Sequence, residues 1–212
     1  MYTMQGDMQG SSVAVGSLLA LTRLEAPYPI DCWLAITENQ IGPNAFRPQE
    51  IVRALNGVTI QVVHSDAEGR MVLADTLTLA SREKPRFVLD FATLTGACVA
   101  ALGTRVGGVM GTDDALKAAI LASAGRTGEP MWPLPLPEEL RSKLDSTVAD
   151  LQHKGDQYGG AGAARRTLPR TAHAAGGGGA PPARPPHHTA RALAVPPLRP
   201  SGRTVLRRCR IS

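Results

Sequence analysis

A short polar cluster between two apolar runs limits what this chain can fold into more than any other feature. VTIQVV (Val58 to Val63) reads as a strand and MVLADTLTLA (Met71 to Ala80) as an amphipathic helix. Between them, inside HSDAEGRMVLAD, stands Asp66-Ala67-Glu68-Gly69-Arg70. Strand-to-helix junctions are where α/β enzymes usually place their chemistry. Carboxylates suit hard or borderline divalent cations, and one carboxylate can bridge two of them. The close spacing and Gly69 suggest a tight, irregular turn in which Asp66 and Glu68 could converge on one metal pair. Arg70 would add a fixed positive charge and a two-pronged donor for an oxyanion or carbonate. A solvated turn uses the same residue types, so the five residues alone leave that reading open.

The flanking sequence repeats the alternation. Ser11-Ser12 can cap a helix running to about Leu24, and Ile30 to Ile36 (IDCWLAI) reads as a buried strand. Asn56-Gly57 is a tight turn into VTIQVV, RFVLDFA (Arg86 to Ala92) is another strand and TRVGGVMG (Thr104 to Gly111) a further one. Asp113-Asp114 open a helix that ends near Gly125, and Pro137-Glu138-Glu139 look like the first turn of one more. Such βα alternation predicts an α/β fold with a mixed, largely parallel sheet flanked by helices. Asp75 and Asp90 fall in helix and strand patterns, and Glu38 and His153 read as structural or solvated.

Charge divides the chain. The net charge is +5, but the stretch from Arg165 to Ser212 holds ten Arg, no Lys and no acid, which leaves −5 for the first 164 residues. Four consecutive Gly (Gly176 to Gly179) and PPARPP (Pro181 to Pro186) break any period there, so residues 165–212 read as a disordered or frameshifted basic tail. Without aromatics for base stacking or a recognisable module, this tail argues weakly for nucleic acid. No apolar run approaches the ~20 residues that a membrane span needs. The polar start MYTMQGDMQGSS does not read as a signal peptide, and the widely spaced Cys32, Cys98 and Cys209 fit a reducing cytoplasm. Cys32 and Cys98 lie in apolar stretches and read as core residues. His187-His188 has no ligand spacing.

Four blocks, MYTMQGDMQGSSVAVG, ENQIGPNAFRPQEIVRALNG, HSDAEGR and DFATLTGACVAALG, in this order and spacing, resemble the catalytic domain of the leucyl (cytosol) aminopeptidase family. The family signatures are NTDAEGR and ATLTGA. The resemblance runs from Met1 to about Ala164, which makes residues 1–164 a partial metallo-aminopeptidase catalytic domain. His64-Ser65 replace the usual Asn-Thr, Gln5 stands where Lys or Arg is common, and Gln40-Ile41 replace Met-Pro. These departures bear on substrate preference more than on reaction class.

The resemblance implies a hydrolase that removes N-terminal amino acids from peptides with a water activated by two metal ions, Mn²⁺ or Zn²⁺. Asp7 would hold one ion and Asp66 the other, with Glu68 bridging. Arg70 would be the catalytic cation, holding a carbonate or stabilising the gem-diolate. Thr93 and Leu94 would offer main-chain groups to the substrate backbone, and Met4 would line the pocket for its first side chain. The family works as a homo-oligomer, a hexamer, in the cytoplasm. It also uses a Lys and an Asp upstream of the Asp7 motif and a second Lys near the carbonate, none of which stands in this sequence. The expectation is therefore a truncated chain that hydrolyses leucine anilides poorly or not at all. The alternative is an inactive remnant or a subunit-association protein.

Overall fold

The computed structural model describes residues 7–36 and 42–155, and beyond them two strands, Thr171–Ala175 and Val205–Ile211. In chain order the elements are α1 (Gln9–Arg23), β1 (Ile30–Ile36), β2 (Ile51–Arg53), β3 (Thr59–Gln61), α2 (Gly69–Arg82), β4 (Val88–Ala92), α3 (Ala97–Leu102), β5 (Gly107–Gly111), α4 (Asp114–Thr127), β6 (Met131–Pro133), β7 (Leu151–Gln152), β8 (Thr171–Ala175) and β9 (Val205–Ile211). A 3₁₀ turn, Ser65–Ala67, precedes α2, and a 3₁₀ segment, Glu138–Leu144, precedes β7.

The fold is mixed α/β with a partly parallel sheet, as the alternation predicts. Among the described residues the strands fall into three hydrogen-bonded sheets. β4 and β8 run parallel, β8 and β5 antiparallel, and β5 and β6 parallel. β2 and β3 form an antiparallel hairpin extended by the parallel strand β7. β1 pairs antiparallel with β9, from Ile30↔Ile211 to Ile36↔Val205. The strands β8 and β9 lie in the Arg-rich stretch expected to be disordered. Within that stretch these two segments pair as strands: TAHAA carries no formal charge, and VLRRCRI interleaves apolar and basic residues, both compatible with an extended partner strand.

α2 is the hub that positions the polar cluster. Three consecutive residues enter three different cores. Met71 packs with Phe46, Ile60 and Val62; Val72 with Cys32, Leu34 and Ala35; Leu73, with Leu77, against Ala92. A helix buried on several sides cannot rotate without breaking all three contacts, each buried side chain contributing about 1.5–3 kcal/mol. The orientation of its first turn is therefore set by packing. Cys32 and Cys98 are buried, as read from the sequence.

Local chemistry explains most of the boundaries. Asp113 caps α4 by accepting the Leu116 N–H, and Gly128 ends that helix with a φ of 71°. Gly57, at φ 90°, closes the β2–β3 turn, where Asn56 Oδ1 accepts the Val58 N–H. α1 departs from the reading in its start. It begins at Gln9, ahead of the serines, and Ser11 is buried inside the helix. The Glu138–Leu144 segment winds as 3₁₀ where an α-helical turn was read.

Candidate metal and substrate site

Asp66, Glu68 and Arg70 lie where β3 gives way to α2. His64 is extended (φ −151°, ψ 112°), and its ring Nδ1 accepts the Asp66 N–H at 3.2 Å. The chain then makes one 3₁₀ turn, and Glu68 takes up the position preceding α2. Gly69 keeps a negative φ, so the irregularity comes from this 3₁₀ turn, with no left-handed glycine involved. The arrangement points the positive end of the α2 dipole at the acidic pair.

Asp7 arrives from the other side, just ahead of α1, and is held by Thr93 in the loop after β4. The Thr93 hydroxyl lies 2.8 Å from Asp7 Oδ1, to which it donates, and 3.1 Å from the Asp7 carbonyl oxygen. The sequence reading gave Thr93 a main-chain role only. Its hydroxyl bond spans 86 positions, and no local pattern announces it. Leu94, next in the loop, packs its side chain against the Leu73–Leu77–Ala92 core. Met4 lies outside the described residues, as do Glu38, Gln5 and Gln40-Ile41.

The electrostatics tie the three carboxylates together. Burial pushes the Asp7 carboxyl above its ordinary range; the Thr93 hydroxyl pulls it back and the Asp66 charge adds to the rise. Burial likewise raises Glu68, its own backbone N–H opposes, and the charges of Asp66 and Asp7 both add. Arg70 offsets these only as the smallest contribution. Burial lowers Arg70 and the Glu68 charge opposes that fall. Asp7, Asp66 and Glu68 thus share one field, with Arg70 beside them.

The donor set fits a divalent cation chemically: hard oxygens, partly desolvated, whose mutual repulsion a cation would relieve. Among the described residues no three His, Cys, Asp or Glu side chains are gathered closely enough to enclose an ion. Arg70 donates from Nη1 to the His153 carbonyl oxygen at 3.2 Å, while its buried Nε has no hydrogen-bond partner among the described residues. His153, read from the sequence as structural or solvated, is buried against this junction. Asp75 lies on α2 away from the cluster and accepts the Leu55 N–H at 2.8 Å.

Comparison with known proteins shows the family. The family model described as the cytosol aminopeptidase family, catalytic domain, matches residues 1–174. A probable cytosol aminopeptidase of Streptomyces griseus is 46% identical over 158 residues, covering 74% of this chain and 31% of its own. One from Geobacter sulfurreducens is 42% identical over 170 residues, covering 80% and 34%. Among solved structures, a mutant of tomato leucine aminopeptidase superposes with a TM-score of 0.72 at 32% identity, over 81% of this chain and 36% of that one. The chain spans about a third of the length of the curated relatives it matches.

Proposed function

Because the chain belongs to the cytosol aminopeptidase family, we propose that it supplies part of a metal-dependent exopeptidase site that releases N-terminal amino acids from peptides. The supporting observation is the shared field of Asp7, Asp66 and Glu68 beside Arg70 at the head of α2. In this reading Asp7 would hold one divalent cation, Asp66 a second, and Glu68 would bridge, with Mn²⁺ or Zn²⁺ as the ions. Such ions, when bound, supply an activated water and polarise the scissile carbonyl.

The remaining work falls to this chain's own groups. The Thr93 hydroxyl fixes one oxygen of Asp7, and the other would meet the cation. Arg70 is the catalytic cation: its guanidinium would hold a carbonate, or the negative charge that develops on the carbonyl oxygen. Main-chain groups of Thr93 and Leu94 would align the substrate backbone, and Met4 would line the pocket for the first side chain. The substrates are peptides with a free N-terminus. The working form is a homo-oligomer, the family's hexamer, in the cytoplasm.

The test is a titration of the purified full chain with Mn²⁺, in parallel with Asp66→Asn and Glu68→Gln. It is paired with release of leucine from a leucine anilide and from its N-acetylated counterpart. We expect cation binding that each substitution weakens at least about 100-fold, beyond what changes in supporting groups cause. Leucine release should be slow, and confined to the free amine. Binding indifferent to both substitutions, or cleavage of the blocked substrate, would overturn the reading. Cation binding without any leucine release would favour the second reading, a non-catalytic piece that associates with related subunits.

A further inference from the structure

His153 is held where a strand would otherwise continue. β7 pairs with β3 through Ile60↔Leu151 and Gln61↔Gln152, and the His153 N–H still donates to the Gln61 carbonyl oxygen at 3.2 Å. There the main-chain ladder stops, and the His153 side chain takes over. Nδ1 lies 3.3 Å from the Val63 nitrogen, whose N–H it accepts, and Nε2 lies 2.8 Å from the His64 carbonyl oxygen. Nδ1 is also 3.1 Å from the Gln61 oxygen, which already receives the His153 main-chain N–H. A neutral ring protonated on Nε2 serves both Val63 and His64: it accepts from one and donates to the other. Burial lowers the imidazole's affinity for a second proton, although the His64 and Gln61 carbonyls oppose this. The Arg70 and His64 charges push the same way as burial. His153 as a whole is 1% exposed.

The imidazole thus stands in for a peptide group, satisfying Val63 and His64 without requiring a parallel strand beside them. That leaves the backbone after His64 able to wind into the 3₁₀ turn that carries Asp66. The carbonyl of the same residue accepts Arg70 Nη1 at 3.2 Å. One residue therefore grips the segment on both sides of the acidic pair.

We propose that His153 is a positioning residue for the Asp66–Arg70 turn: its ring fixes where the turn begins, and its carbonyl fixes where the Arg70 guanidinium sits. The consequence for cation binding rests on the function proposed above; the consequence for the turn itself does not.

The experiment uses the full chain with His153→Leu, which removes both ring nitrogens, and with His153→Asn and His153→Gln, whose amides can replace Nδ1 or Nε2. Amide hydrogen exchange is followed without metal, and Mn²⁺ binding is measured separately. For His153→Leu we expect exchange at Val63 and from Asp66 to Arg70 to rise at least about tenfold, the loss of roughly one hydrogen bond, with α4 unchanged. Mn²⁺ affinity should fall about 10–100-fold, and at least one amide variant should restore both. Unchanged exchange in His153→Leu overturns the proposal, as does acceleration spread evenly over the chain. If His153→Leu does not fold, the amide variants decide. Wild-type protection of the turn in either one sustains the proposal, whereas a loosened turn or failure to fold in both overturns it. If the wild-type chain binds no Mn²⁺, the proposed function fails while the exchange data still judge His153.

Discussion

Glu68 and Asp75 lie about two turns apart at and along one helix, and burial raises the pKa of both carboxyls. Their surroundings differ. Asp75 accepts the Leu55 N–H at 2.8 Å, and Arg82 Nη2 reaches the Leu55 carbonyl oxygen at 3.4 Å, so α2 grips the β2–β3 turn through paired polar contacts. Glu68 faces two further carboxylates, and Arg70 compensates less than either of them repels. At Asp75 a dedicated donor offsets part of the cost of burial. A buried charge among like charges weakens the fold unless something else is bound, and such places are where function is found. The contrast separates a structural acid from a binding acid on the same helix.

The largest effect that would sharpen this contrast is the loss of Asp75. Replacing it by Ala leaves the Leu55 N–H without its acceptor and frees the hairpin turn from α2. Stability should drop by about 0.5–1.5 kcal/mol, the net worth of one hydrogen bond at an exposed turn. Mn²⁺ binding should not change. Urea unfolding of the two chains, together with a cation titration, measures both; weaker cation binding in Asp75→Ala would erase the distinction between the two acids.

Glu68→Gln should act in the opposite direction. The like charges of Asp66 and Asp7 act on Glu68 more strongly than Arg70 does. Neutralising it in the metal-free chain should therefore raise stability, by about 0.5–1 kcal/mol, as other relieved functional sites do. The same urea experiment, run with a chelator present, reads the sign. A loss of stability would show that the pairing with Arg70 outweighs the repulsion.

Much of this was legible in the sequence, and the parts that were not share a cause. The strand Ile30–Ile36, the Asp113 cap and the Asn56-Gly57 turn all depend on neighbours within a few residues, and local pattern carries them. The acidic cluster was legible for the same reason, since Asp66, Glu68 and Arg70 are consecutive or nearly so. VTIQVV contributes strand only at Thr59–Gln61. Beyond it the Val62 N–H turns to the Glu50 carbonyl oxygen and the Val63 N–H to His153, partners that no periodicity reveals. Thr93 and His153 were missed as supports because their bonds cross 86 and 89 positions. Ser11 misled because a serine ahead of an apolar run looks like a cap whether or not the helix has already begun. In the Arg-rich stretch, composition argued against a core, yet a short strand needs only a partner edge and no core of its own.

The smallest effect is in the pH dependence, and it distinguishes the half-buried acids from an exposed one. Asp7, Glu68 and Asp75 have pKa values raised above 3.8, 4.5 and 3.8, so between those values and their folded ones the folded chain binds more protons than the unfolded chain. Stability of the metal-free chain should then fall as pH rises through that window. Asp150 behaves in reverse. Its carboxylate accepts from the Thr59 N–H at 2.8 Å and the Thr59 hydroxyl at 2.6 Å, which lowers its pKa below 3.8. Its contribution is present above that value and lost as pH falls through the folded one. Urea midpoints from pH 3 to 7 should therefore show a decline toward neutrality that is shallower in Glu68→Gln, and a loss at the acid end that is absent in Asp150→Asn. If Glu68→Gln left the decline unchanged, Glu68 would not be titrating in that window, and the two acids of α2 would differ in their partners but not in their charge.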